Sequence, residues 1–87
     1  MKIRDGYMLS EVAGTPVVVP LGAQTTFHNM IKLNATGKFL WEKLSEEITR
    51  EALVLAMVKE YEIDEAIAAR DLDAFLTSLE KFGALEK

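Results

Sequence analysis

The sequence predicts an α+β fold in which a small, N-terminal, three-stranded antiparallel sheet is followed by a three-helix bundle. Three observations carry this. Segments of β type precede Asn34 and amphipathic helical segments follow it, an order of strands then helices that belongs to the α+β class. Good N-cap residues stand at Asn34, Thr49 and Asp64, each just before a run with helical spacing. The length of 87 residues suits one domain, taken as 1–87, with one modest core.

The first strand is read as Tyr7–Val12, and Ala13-Gly14 as a tight turn in which glycine accepts positive φ. The second strand is Thr15 to Val19, whose three consecutive valines suit a pleated surface. Pro16 lacks an N–H and so belongs at a strand start or an outer side. Residues 20–26 read as a loop. The third strand is Phe27 to Leu33, with Asn29, Ile31 and Leu33 on one face and His28, Met30 and Lys32 on the other.

The first helix starts after Asn34, buries Leu40, Trp41 and Leu44, and ends at Ser45-Glu46-Glu47. Thr49 caps the second helix, where Ile48 can staple onto Leu53 and the apolar side is Leu53, Ala56, Met57 and Val58. The third helix runs from its cap Asp64 to Phe82, with Ala68, Leu72, Phe75 and Leu79 toward the core, and Gly83 follows as its terminator. Leu85 tucks back against the bundle. Three short helices after a small sheet give a winged-helix-like arrangement.

Composition bounds the function. Hydrophobic residues at 49% and charged residues at 28% describe a globular chain. With no cysteine there is no disulfide and no thiolate metal site. No 18-residue apolar run and no apolar signal core occur, so the expectation is a cytoplasmic protein that does not enter membranes. Residues 1–33 hold three Lys/Arg against two Asp/Glu, and residues 34–87 hold seven against twelve. The third helix sets Asp64, Glu65, Asp71, Asp73 and Glu80 against Arg70 and Lys81. Such a helix is a poor reader of DNA, so a winged-helix DNA-binding regulator is the alternative and no nucleic-acid partner is expected.

Catalytic chemistry has few places to stand. His28 is the one histidine and reads as a solvated side chain. No nucleophile elbow, phosphate-cradling glycine loop or zinc spacing occurs. The Asp71 and Asp73 pair, two apart on a helix, does not share a face, and Glu46-Glu47 at a helix end point to water. No enzyme, metal or cofactor is expected. Trp41 reads as core, as does Met57, while Met8 and Met30 are open.

The run Ile31-Lys32-Leu33-Asn34-Ala35-Thr36-Gly37-Lys38-Phe39-Leu40-Trp41-Glu42 resembles the strand-to-helix segment of PqqD-like proteins. Tyr61-Glu62-Ile63-Asp64 is similar to their link into the last helix. Asp71-Leu72, Phe75-Leu76, Leu79 and Phe82-Gly83-Ala84-Leu85 are similar to that helix and its ending. The likeness covers nearly the whole chain and lies in the order and spacing of short motifs.

What the resemblance implies is a peptide-recognition element for pathways that make ribosomally synthesised, post-translationally modified peptides. Such a domain binds the leader of a precursor peptide as an added β-strand and acts as a peptide chaperone or adaptor. It presents the core to a modifying enzyme, often a radical SAM enzyme, and catalyses nothing itself. An edge strand can support this, because its unpaired N–H and C=O groups can pair with an extended guest. The expected docking edge is Asn29, Met30, Ile31, Lys32 and Leu33. The second wall is the flank Ile67, Asp71, Ala74 and Ser78 of the third helix, where Ile67 offers an apolar contact and Asp71 can hold a leader Lys or amide. The sequence leaves open the oligomeric state and which alternate residues of the edge face the guest.

Overall fold

The structure is a computed structural model that describes residues 1–21 and 30–86. In chain order its elements are β1 (Lys2–Ile3), β2 (Tyr7–Val12), β3 (Thr15–Pro20), β4 (Ile31–Lys32), α1 (Ala35–Lys43), α2 (Arg50–Tyr61), α3 (Glu65–Phe82) and β5 (Leu85–Glu86). β2, β3 and β4 form an antiparallel sheet in that order, and β1 and β5 form a separate antiparallel pair. The α+β class and the order of a three-stranded sheet then three helices agree with the sequence reading.

The β2–β3 hairpin closes on Ala13 and Gly14, with φ of 52° and 82°. Positive φ at both central residues is what a turn compatible with strand twist requires. Leu9, Val18 and Ile31 lie opposite one another across the sheet. They form its helix-facing row, with Val18 inside the core and the other two packed on it. Met8 and Val12 are on the opposite face and exposed.

Asn34 caps α1 by accepting a hydrogen bond from the Gly37 N–H at 2.7 Å, and Thr49 caps α2 through the Ala52 N–H at 3.1 Å. Asp64 occupies the N-cap position of α3, but its side chain makes no capping bond. The core joins Leu40, Trp41 and Leu44 of the first helical segment to Leu53, Val54 and Met57 of α2. Ala68, Leu72, Leu76 and Leu79 of α3 close it. Trp41 is 4% exposed, a core residue as its spacing indicated.

Four details differ from the sequence reading. The third strand, expected from Phe27, spans Ile31–Lys32 among the described residues, while Phe27, His28 and Asn29 lie outside them. α1 ends at Lys43 with Leu44 as its cap: the Leu44 N–H makes the last i→i−4 bond, to the Leu40 carbonyl at 2.9 Å, and the Ser45 N–H tightens onto the Glu42 carbonyl at 3.3 Å. Val54 is buried on α2 where Ala56 was expected. Finally, the charged N-terminal segment forms β1 and Leu85 forms part of β5. A two-residue strand is too short to show alternation, so no pattern marked it.

Among the described residues no helix is long and apolar enough to cross a membrane.

Candidate functional site

β4 is the outer strand of its sheet, and among the described residues no strand pairs with its far side. Its register fixes what that side offers. The Leu33 N–H donates to the Pro16 carbonyl at 2.9 Å, so Leu33 turns its backbone groups toward β3. Antiparallel ladders alternate residue by residue. Lys32, paired with Val17, therefore presents its N–H and C=O to the open side, and Met30 falls in the same phase. Pro16 stands at the last rung of the β3–β4 ladder, where its carbonyl accepts from Leu33 and it has no N–H to return.

Beside this edge runs a trough made of two adjoining hollows. The smaller, about 160 Å³, is lined by Ile31, Leu33, Gly37, Phe75 and Leu79, with Lys32, Asn34 and Ser78 at its margin. The larger, about 440 Å³, continues over Gly37, Leu40 and Phe75 toward Thr36, Asp71 and Ala74. Asn34, Gly37, Phe75 and Ser78 belong to both.

The trough exists because α1 and α3 meet at a glycine. A Cβ on Gly37 would stand 3.3 Å from the Phe75 ring and 3.3 Å from the Asn34 amide oxygen. Gly37 is buried, so its bare backbone and the half-buried Phe75 ring form the shared floor. The sequence pattern placed Phe75 with the core; it lies at the core's edge and lines both hollows.

Of the expected residues, Ile31, Lys32 and Leu33 border the smaller hollow, Asp71 and Ala74 the larger, and Ser78 both. Met30 is half-buried and Ile67 is 41% exposed, and neither lines a hollow. Asn29 lies outside the described residues. Sequence reasoning did not assign Asn34, Thr36, Gly37, Leu40, Phe75 or Leu79 to the site. A capping Asn three residues before a glycine was the available signal, since a glycine in a helix's first turn asks for a close-packed neighbour.

The polar rim is mostly self-satisfied. The Asn34 oxygen is taken by the cap, and the Ser78 hydroxyl donates to the Ala74 carbonyl at 3.2 Å. Asp71 stands 3.7 Å from the Arg70 guanidinium, both side chains more than half exposed. Asp73, two residues on and turned to another face, is held by two 2.8 Å bonds from Arg50 of α2. Among the described residues no group of His, Cys, Asp or Glu is arranged to hold a metal ion.

The sequence matches the family described as PqqD, coenzyme PQQ synthesis protein D, over residues 16–85. Two solved structures share the fold. One is TbiB1 in complex with the TbiA(beta) leader peptide, 31% identical, with a TM-score of 0.79, covering 99% of this chain and 95% of that one. The other is a lasso peptide synthetase B1 complexed with the leader peptide, 22% identical, with a TM-score of 0.76, covering 98% of this chain and 96% of that one. At that lower identity the likeness concerns the fold. No curated protein sequence matches.

Proposed function

This chain belongs to the PqqD family, and from that membership we propose that it binds the leader segment of a ribosomal precursor peptide as an added β-strand and presents the peptide to a modifying enzyme. The observation that carries the proposal is the outward-facing backbone of Lys32 beside the Gly37–Phe75 trough. A guest strand pairing there gains main-chain hydrogen bonds from β4 and places alternate side chains against α3. That a 31% identical relative was solved with a leader peptide points the same way.

The guest-binding residues on this reading are Met30, Ile31, Lys32 and Leu33 along the edge, with Asp71, Ala74 and Ser78 on the helix. Ile67 extends the site along α3, one turn before Asp71. Residues 1–87 act as one recognition domain. Its role is non-catalytic on this reading, because the trough is lined by apolar, amide and hydroxyl groups with one carboxylate, Asp71, and one ammonium, Lys32, in separate hollows, which can hold a peptide but pair no nucleophile with a base. A radical SAM enzyme is the partner class proposed for the modifying step.

Isothermal titration of the chain with a precursor peptide encoded beside its gene tests the proposal. Saturable binding that survives removal of the core segment and is lost on removal of the leader is expected. Undetectable binding at high micromolar peptide, with the modifying enzyme also present, overturns it.

A further inference from the structure

Resting on the reading above, we propose that the trough selects its guest by a two-residue step: an apolar side chain in the smaller hollow and, two positions along the guest strand, a basic side chain reaching Asp71. The two hollows lie in line along α3. The smaller reaches Leu79, the larger reaches Asp71 and Ala74, and Phe75 with Ser78 stands between. Neighbouring stations on α3 are therefore one helical turn apart, about 5–6 Å. An extended strand carries same-side residues about 6.6 Å apart. Two successive inward-facing guest residues thus stand on either side of Phe75, and because Asp71 lies a further turn along α3 the basic one covers the remaining distance with its long side chain; the residue between them turns to the opposite face.

The hollows differ in chemistry. The smaller is walled by Ile31, Leu33, Phe75 and Leu79 and suits an aliphatic or aromatic side chain. The larger has the same apolar floor, Gly37, Leu40 and Phe75, but its far rim is Thr36 and Asp71. Among the described residues that line it, Asp71 is the one charged group. Its contact with Arg70 spans 3.7 Å, longer than the 2.7–2.9 Å typical of a charge-assisted hydrogen bond, so the carboxylate retains capacity for a second cation. A lysine or arginine can lay its methylene stem on Leu40 and Phe75 while its charge reaches the rim. An aspartate or glutamate in the same place meets like charge.

The test is selection of a phage-displayed library of short random peptides on the full chain and on the Asp71→Lys and Asp71→Asn variants. Anisotropy titrations of enriched peptides carrying Lys, Gln or Glu at the second position then follow. The wild type should enrich an apolar residue with Lys or Arg two positions away, and prefer Lys over Gln by about two- to fivefold. Asp71→Asn should erase that preference, and Asp71→Lys should invert it toward Glu. Asp71 is exposed, so both variants should keep the wild-type circular dichroism; if the lysine variant does not, the asparagine variant decides alone. Enriched peptides with an apolar residue but no charge preference in any variant overturn the two-residue code and leave strand addition standing. No enrichment on any variant overturns both.

Discussion

Single residues set the two features of this chain with the clearest energetic consequences. Gly37 shapes the trough: a Cβ there would meet the Phe75 ring and the Asn34 amide oxygen at 3.3 Å each, so that both would have to give by a few tenths of an ångström. Arg50 and Asp73 are tied to stability. Their two 2.8 Å bonds bridge α2 and α3 at the surface. The hydrogen bond to Asp73 raises the Arg50 pKa, and the same bond from Arg50 lowers that of Asp73. Because the folded carboxyl is held below its unfolded value, its contribution is present at neutral pH and is lost as pH falls through the carboxylate range, below about 4. Both groups are exposed, so the effect is small and screened by salt. Thermal unfolding of wild type and Asp73→Asn across pH should show a modest gap at pH 7 that narrows as pH falls below about 4. A gap that persists unchanged in acid would assign the loss to something other than ionisation.

Among the elements, β4 is where the sequence said most about the site and least about its limits. The N-cap at Asn34, the hairpin at Ala13-Gly14 and the buried stripes of the helices were legible because each is a local pattern with one physical cause. Phe75 and Gly37 were not, because their role comes from α1 and α3 meeting across the chain, and helical spacing alone assigns Phe75 to the core. The phase of the edge was equally out of reach. Whether an N–H points in or out is decided by pairing with β3, through the Leu33–Pro16 bond. That phase yields a sharp expectation. Lys32→Pro removes an outward N–H, so it should abolish or strongly weaken leader binding while costing little stability, as proline does on open edges. Ile31→Pro removes an inward N–H from the ladder and disturbs a side chain packed on the core, so the unmade bond alone should cost about 1–3 kcal/mol in chemical denaturation. The reverse ranking would mean the ladder is in the other phase, and equal damage by the two would remove the phase assignment.

At the scale of the whole molecule, the N-terminal segment acts as a staple on the end of the bundle away from the trough. The Ile3 N–H donates to the Leu44 carbonyl at 2.9 Å and the Arg4 N–H to the Ala84 carbonyl at 2.7 Å. The Ile48 N–H donates to the Met1 carbonyl at 3.0 Å, and the Met1 ammonium donates to the Ile48 carbonyl and pairs with Glu47. These contacts join the end of α1, the start of α2 and the end of α3, and they share no residue with either hollow. Neither a hydrophobic period nor a motif announces such a staple, since backbone groups carry most of it. At about 0.5–1.5 kcal/mol net per hydrogen bond, plus the exposure of Leu44, Ala84 and Leu85, deleting residues 1–4 should cost several kcal/mol. Small domains hold about 5–15 kcal/mol in all, so the melting temperature should drop by well over 10 °C, at roughly 4–8 °C per kcal/mol. The trough, however, is built by other residues, so the folded fraction should still bind. Leader peptide at about 100 times its Kd then restores about 2.7 kcal/mol by mass action, and thermal melts of the truncated chain with and without peptide should reveal that recovery. A truncated chain that melts like the full one would remove the staple. One that is destabilised but gains nothing from peptide, while the full chain does, would show that the staple and the trough are a single cooperative unit.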